Sequence, residues 1–89
     1  MTERTATIAS RVGLHARPAS IFIEAVKRQS MKVTISKDGS TPMDASSILS
    51  IMSLGAANGD TVTLAAEGPE ADAALAELVG ILETDLDAE

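Results

Sequence analysis

His15 is the only histidine in the 89-residue chain, and Arg17 follows two positions later, at the start of a stretch with helical periodicity. Imidazole is the one side chain that is nucleophilic when neutral and titrates near physiological pH. A helix start presents backbone N–H groups and the positive end of the helix dipole, so the amides of Ala16 and Arg17 should face an anion. A phosphoryl group on the His15 ring would meet those donors and the Arg17 guanidinium. A surface or capping His–Arg pair has the same composition, so the residues by themselves define an anion site at a helix start. No metal or cofactor is expected, because a single His without Cys builds no zinc site and no carboxylate pair or Ser-His-Asp spacing is identifiable.

A second feature lies at Ser46 to Gly55, which reads as a short helix with Ser candidates for the N-cap and Gly at its C-terminus. At roughly 100° per residue, Ile51 and Leu54 point one way while Ile48, Leu49 and Met52 point another. A short helix in a small domain does not easily bury both groups. An exposed apolar set marks a surface for a partner, and Ile48, Leu49 and Met52 are assigned to it.

The remaining elements must position these two features. Thr5 to Ile8 give a weak strand signal that Gly13 breaks before Leu14 and His15. From Ala16 to Gln29 the pattern is helical, with Pro18 in the first turn and Ala19, Phe22, Ile23 and Val26 on one face. Met31, Val33 and Ile35 alternate with Lys32, Thr34 and Ser36 as in a half-buried strand, and Asp38-Gly39 turns the chain. Ser40 to Met43 would return as a short strand, which Pro42 confines to an edge. Asn58-Gly59 is a turn before a strand from Thr61 to Ala66 that places Val62 and Leu64 on one face. Pro69 would open a last helix, with Glu70 and Asp72 in its first turn and a stripe of Ala71, Ala74, Leu75, Leu78 and Leu82. The order β, α, β, β, short α, β, α predicts an α+β domain, with an antiparallel sheet covered on one face by helices.

Length and composition bound the rest. Residues 1–89 fit a single domain with an aliphatic core, since the chain has no Trp or Tyr and only Phe22 among aromatics. Absence of Cys excludes a disulfide framework and a thiol nucleophile, and fits a reducing compartment. No signal peptide or membrane-spanning run is visible, so a cytoplasmic protein without membrane insertion is expected. A net charge of −6 argues against nucleic acid as a partner. Part of that acidity is local: Glu83, Asp85, Asp87 and Glu89 read as a solvated, fraying end.

Gly13-Leu14-His15-Ala16-Arg17-Pro18-Ala19-Ser20 resembles the active-site signature of the HPr family of the sugar phosphotransferase system. Ser47-Ile48-Leu49-Ser50-Ile51-Met52-Ser53-Leu54-Gly55 is similar to the family's second signature, at the expected distance. The resemblance implies an open-faced β-sandwich of four antiparallel strands and three helices. It also implies a bacterial, cytoplasmic, monomeric phosphocarrier, a stoichiometric carrier instead of an enzyme. His15 would accept the phosphoryl group at Nδ1, as pros-phosphohistidine, from Enzyme I charged by phosphoenolpyruvate, and deliver it to IIA units of sugar permeases. Arg17 would stabilise it beside the amides of Ala16 and Arg17, and Leu14 would join Ile48, Leu49 and Met52 in docking.

Ser47 aligns with a serine that a dedicated kinase phosphorylates in some bacterial groups, and a capping role would require the same residue. Ala16 stands where many members carry Thr, and Ser50 where a charged residue or Gly is common. The alternatives are a regulatory paralogue in a nitrogen-linked or kinase-linked relay, or a module that binds a partner without covalent chemistry.

Overall fold

The computed structural model describes residues 2–9, 13, 16–37 and 41–84. Strands β1 (Thr2–Thr7), β2 (Val33–Lys37), β3 (Met43–Asp44) and β4 (Thr61–Ala66) alternate with helices α1 (Ala16–Lys27), α2 (Ile48–Leu54) and α3 (Ala71–Leu82). All pairings are antiparallel and the strand order is β1-β4-β2-β3. β4 is central because it carries the most regular apolar alternation: Val62, Leu64 and Ala66 point into the core, as do Ala6, Val33 and Ile35 of its neighbours. The opposite face is polar, with Thr5 and Ser36 both registered against Thr63, and Thr7 against Thr61. The core between sheet and helices is aliphatic around a fully buried Phe22. The turn expected at Asp38-Gly39 lies outside the described residues.

Several boundaries move for identifiable reasons. β1 begins at Thr2 instead of Thr5, because Thr2, Glu3 and Arg4 pair with Ala66, Ala65 and Leu64. Ile8 lies beyond β1 yet extends its partnership: its N–H donates to Asp60 O at 2.9 Å and its carbonyl accepts from Gly59 N–H at 2.8 Å. α1 stops at Lys27 and not Gln29, since Gln29 N–H bonds Val26 O in a tightened last turn and the Gln29 amide donates to Ala25 O. β2 starts at Val33, two residues past Met31. β3 is displaced to Met43–Asp44, just after Pro42, and it is an edge strand.

Pro69 does not open α3. Ala71 N–H bonds Gly68 O at 3.2 Å, so residues 68–71 form a turn with Pro69 at its second position, which the fixed proline φ suits. Glu70, at φ −107° and ψ 11°, closes that turn and becomes the N-cap. Only Asp72 then lies in the first helical turn, where its carboxylate pairs with Arg4 of β1 at 2.7 Å. Glu83 is not part of a loose end. Its carboxylate accepts the Thr7 N–H at 3.2 Å, and the neighbouring Leu82 carbonyl accepts Ala9 N–H at 3.0 Å. Among the described residues, no helix is long and apolar enough to cross a membrane.

Candidate functional site

α1 begins at Ala16, the residue immediately after His15. Its anchoring is strong for a site-bearing helix: Pro18, Ala19, Phe22 and Ala25 are buried, which fixes the first turn against the core and leaves Arg17 exposed. Pro18 costs the helix nothing, because a first-turn N–H has no carbonyl to bond within it. His15 and Leu14 lie outside the described residues, so the expectations for their side chains are carried by the placement of the helix and of Gly13.

Gly13, two residues before His15 in sequence, is described and closely packed. Its φ of +75° lies in the left-handed region, and a Cβ there would approach Ala56 O to 2.7 Å and Ala57 Cα to 2.9 Å. Only glycine permits this conformation and this approach together. Gly13 therefore rests on the chain leaving α2, at Ala56 and Ala57.

α2 divides as its periodicity predicts. Ile51 and Leu54 are buried, at 0% and 7% exposure, whereas Ile48, Leu49 and Met52 are 48%, 78% and 44% exposed. Two caps hold the helix. Ser47 is the N-cap, in extended conformation, and its hydroxyl accepts a long 3.4 Å bond from Ser50 N–H. Gly55 closes the C-terminus at φ 67°. Ser46 is engaged elsewhere, for both its N–H and its hydroxyl donate to the Asp44 carboxylate, at 2.9 and 2.7 Å. Those two donors hold the Asp44 pKa below its ordinary value, the hydroxyl contributing most.

Sequence reasoning missed the device that holds the chain between α2 and β4. The Asp60 carboxylate accepts Ala57 N–H at 2.9 Å and the Lys37 ammonium at 3.2 Å, while Asp60 N–H donates back to Ala57 O. Lys37 also donates to the Gly55 carbonyl, at 3.1 Å. The Ala57 amide, and then Lys37, lower the Asp60 pKa. Asn58, read only as a turn residue, sends its side-chain amide to Ala9 O at 3.1 Å. The one available signal was Asp60 directly after Asn58-Gly59, a position where a carboxylate often bonds a turn amide. Its partnership with Lys37, 23 positions away, has no local signature.

Fold and site together define an α+β open-faced sandwich in which α1 starts directly after His15 and a capped α2 carries half-exposed apolar surface. Residues 2–84 match the family model described as PTS HPr component phosphorylation site. The phosphocarrier protein HPr of Streptomyces coelicolor is 40% identical over 82 residues, covering 92% of this chain and 88% of that protein. The HPr-like protein Crh of Halalkalibacterium halodurans is 35% identical over 83 residues, or 93% of this chain and 98% of that one. In three dimensions, HPr-C-His from Thermoanaerobacter tengcongensis superposes with a TM-score of 0.90 at 38% identity, over 100% of this chain and 99% of that chain. The chain belongs to the HPr family of phosphocarrier proteins of the phosphotransferase system.

Proposed function

We propose that His15 carries the phosphoryl group, receiving it from Enzyme I and passing it to IIA units of sugar permeases. The observation that carries this reading is the start of α1 at Ala16, directly after the histidine. In each transfer the His15 Nδ1 lone pair forms the bond to phosphorus as the bond to the donor breaks, and delivery reverses the sequence. First-turn amides and the helix dipole stabilise the phosphoryl oxygens. Arg17, exposed on that turn, adds a charge-assisted partner.

Docking is assigned to Ile48, Leu49 and Met52, together with Leu14. The exposure of the three α2 side chains supports the assignment, and so does the contact of Gly13 with the chain leaving α2. Ser47 is the proposed regulatory position, because a phosphate at this N-cap would sit next to Ile48 and Leu49. It would add roughly −1.5 to −2 charges to a surface that partners must cover.

Incubation with phosphoenolpyruvate and Enzyme I tests the central reading. The parent should gain a single acid-labile phosphate, and His15→Ala should gain none while keeping its thermal midpoint. Acceptance by His15→Ala at the parental rate would rule out the assignment. A carrier that stays unmodified throughout would instead indicate a non-covalent binding module.

A further inference from the structure

We infer that Asp60, with Lys37, is a positioning residue for phosphoryl transfer: it fixes the 55–60 loop against which Gly13, two residues before His15, rests. The inference builds on the reading of His15 as acceptor and adds residues outside both signature stretches.

The 55–60 loop touches the described residues before α1 at two places. Near the beginning, Asn58 donates its side-chain amide to Ala9 O, and Gly59 N–H and Asp60 O bond the backbone of Ile8. Near the end, Ala56 O and Ala57 Cα fill the space where a Gly13 Cβ would lie. Gly13 is two residues from His15 in sequence, so a shift of Ala56 and Ala57 would act on the chain that leads into the histidine.

The loop has little apolar anchorage of its own. Ala56 is buried, but Gly55, Ala57, Asn58 and Gly59 are exposed. Two glycines at positive φ, Gly55 and Gly59, give it wide conformational freedom. Beyond its bonds to Ile8 and Ala9, it is restrained by the Asp60 carboxylate on the Ala57 amide and by the Lys37 ammonium, which bridges that carboxylate to the Gly55 carbonyl. Lys37 of β2 therefore links the loop's first residue to its last, by a hydrogen bond at Gly55 and an ion pair at Asp60.

Transfer depends on geometry that such a restraint protects, since a 1 Å misplacement can cost about 10²-fold in rate. Loosening the loop should spread His15 over orientations relative to the amides of α1. Docking through Ile48, Leu49 and Met52 should be spared, because α2 keeps its Ser47 cap and its anchors Ile51 and Leu54.

The test compares Asp60→Ala, Asp60→Asn and Lys37→Met with the parent in phosphorylation by Enzyme I, each shown to be folded by its thermal midpoint. Asp60→Ala is expected to lower the rate at saturating carrier about tenfold, within the range that misplacement allows, with the half-saturating concentration unchanged. Asp60→Asn, which keeps an acceptor for Ala57 N–H, should recover most of that rate. Lys37→Met should fall between them. The His15 ring resonances should shift and broaden in Asp60→Ala and return in Asp60→Asn. A folded Asp60→Ala with the parental saturating rate overturns the inference, as does a loss confined to the half-saturating concentration. Should Asp60→Ala fail to fold, parental saturating rates in both Asp60→Asn and Lys37→Met overturn it equally. His15→Ala run in parallel separates the two readings, since its failure to accept phosphate upholds the carrier assignment whatever Asp60 does.

Discussion

Helices α2 and α3 solve the same problem in opposite ways. α3 runs 12 residues and buries Ala71, Ala74, Leu75, Leu78 and Leu82, and no side chain caps its N-terminus. α2 runs seven residues, buries Ile51 and Leu54 alone, and is closed by Ser47 and Gly55. Helices this short are marginal without help. α3 is held by a long buried stripe, whereas α2 depends on its ends because much of its apolar surface faces outward. The comparison teaches that a short helix with much of its apolar surface outward leans on its caps where a longer one leans on burial.

The sharpest way to break the contrast is a charge on each face of α2. Ile51→Asp should destabilise the domain by more than roughly 4 kcal/mol, since a carboxylate in the core has no compensating partner. That loss approaches the whole stability of a small domain, about 5–15 kcal/mol. Leu49→Asp, at a site 78% exposed, should change stability by no more than about 0.5 kcal/mol. It should raise the half-saturating concentration for Enzyme I about tenfold or more, if this side chain is central to docking. Denaturant melts beside transfer kinetics measure both, and equal losses of stability would show the two faces to be alike.

A smaller effect sharpens the part played by the ends. Ser47→Ala should cost about 0.5–1 kcal/mol, the low end for a lost N-cap, because the bond to Ser50 N–H is long. Ser47→Asp retains an acceptor and adds negative charge at the positive end of the helix, so its thermal midpoint should match the parent. Its phosphorylation by Enzyme I should still slow at low carrier concentration, through weaker binding. An unchanged rate there would make Ser47 a cap and nothing more.

The smallest effect concerns acid. Asp44 before α2 and Asp60 after it both titrate below the ordinary Asp value of 3.8, held down by hydrogen bonds. A carboxylate with a lowered folded pKa contributes stability that is present above its unfolded value and is lost as pH falls through the folded one. Asp60→Asn should therefore lose that contribution at neutral pH, with a slightly lower thermal midpoint there, and converge with the parent below about pH 4, so that its decline in acid is flatter. A decline as steep as the parent's would assign it to other carboxylates.

What could be read from the chain alone followed its local periodicities. The bounds of β4 at Thr61–Ala66, the stripe of α3, the start of α1 at Ala16 and the division of α2 each rest on a regular apolar spacing, and each is found. Thr2 to Arg4 escaped because an edge strand can be entirely polar and still pair with β4. Pro69 misled because proline suits both a first helical turn and the second position of the turn before it. The Lys37–Asp60 restraint and the Glu83–Thr7 bond join residues distant in sequence, and only the folded chain brings them together.

That last bond also bears on the edge of the sheet. β1 is an outer strand, and a strand's unpaired amides are a template on which another extended chain can add itself. Here the Thr7 amide already has its acceptor, and the acceptor is a carboxylate from the end of α3. An incoming strand would find this rung of the ladder occupied and would have to approach a negative charge to displace it. Glu83 thus leaves this margin of the sheet with a satisfied amide and a negative charge that any added strand would have to displace.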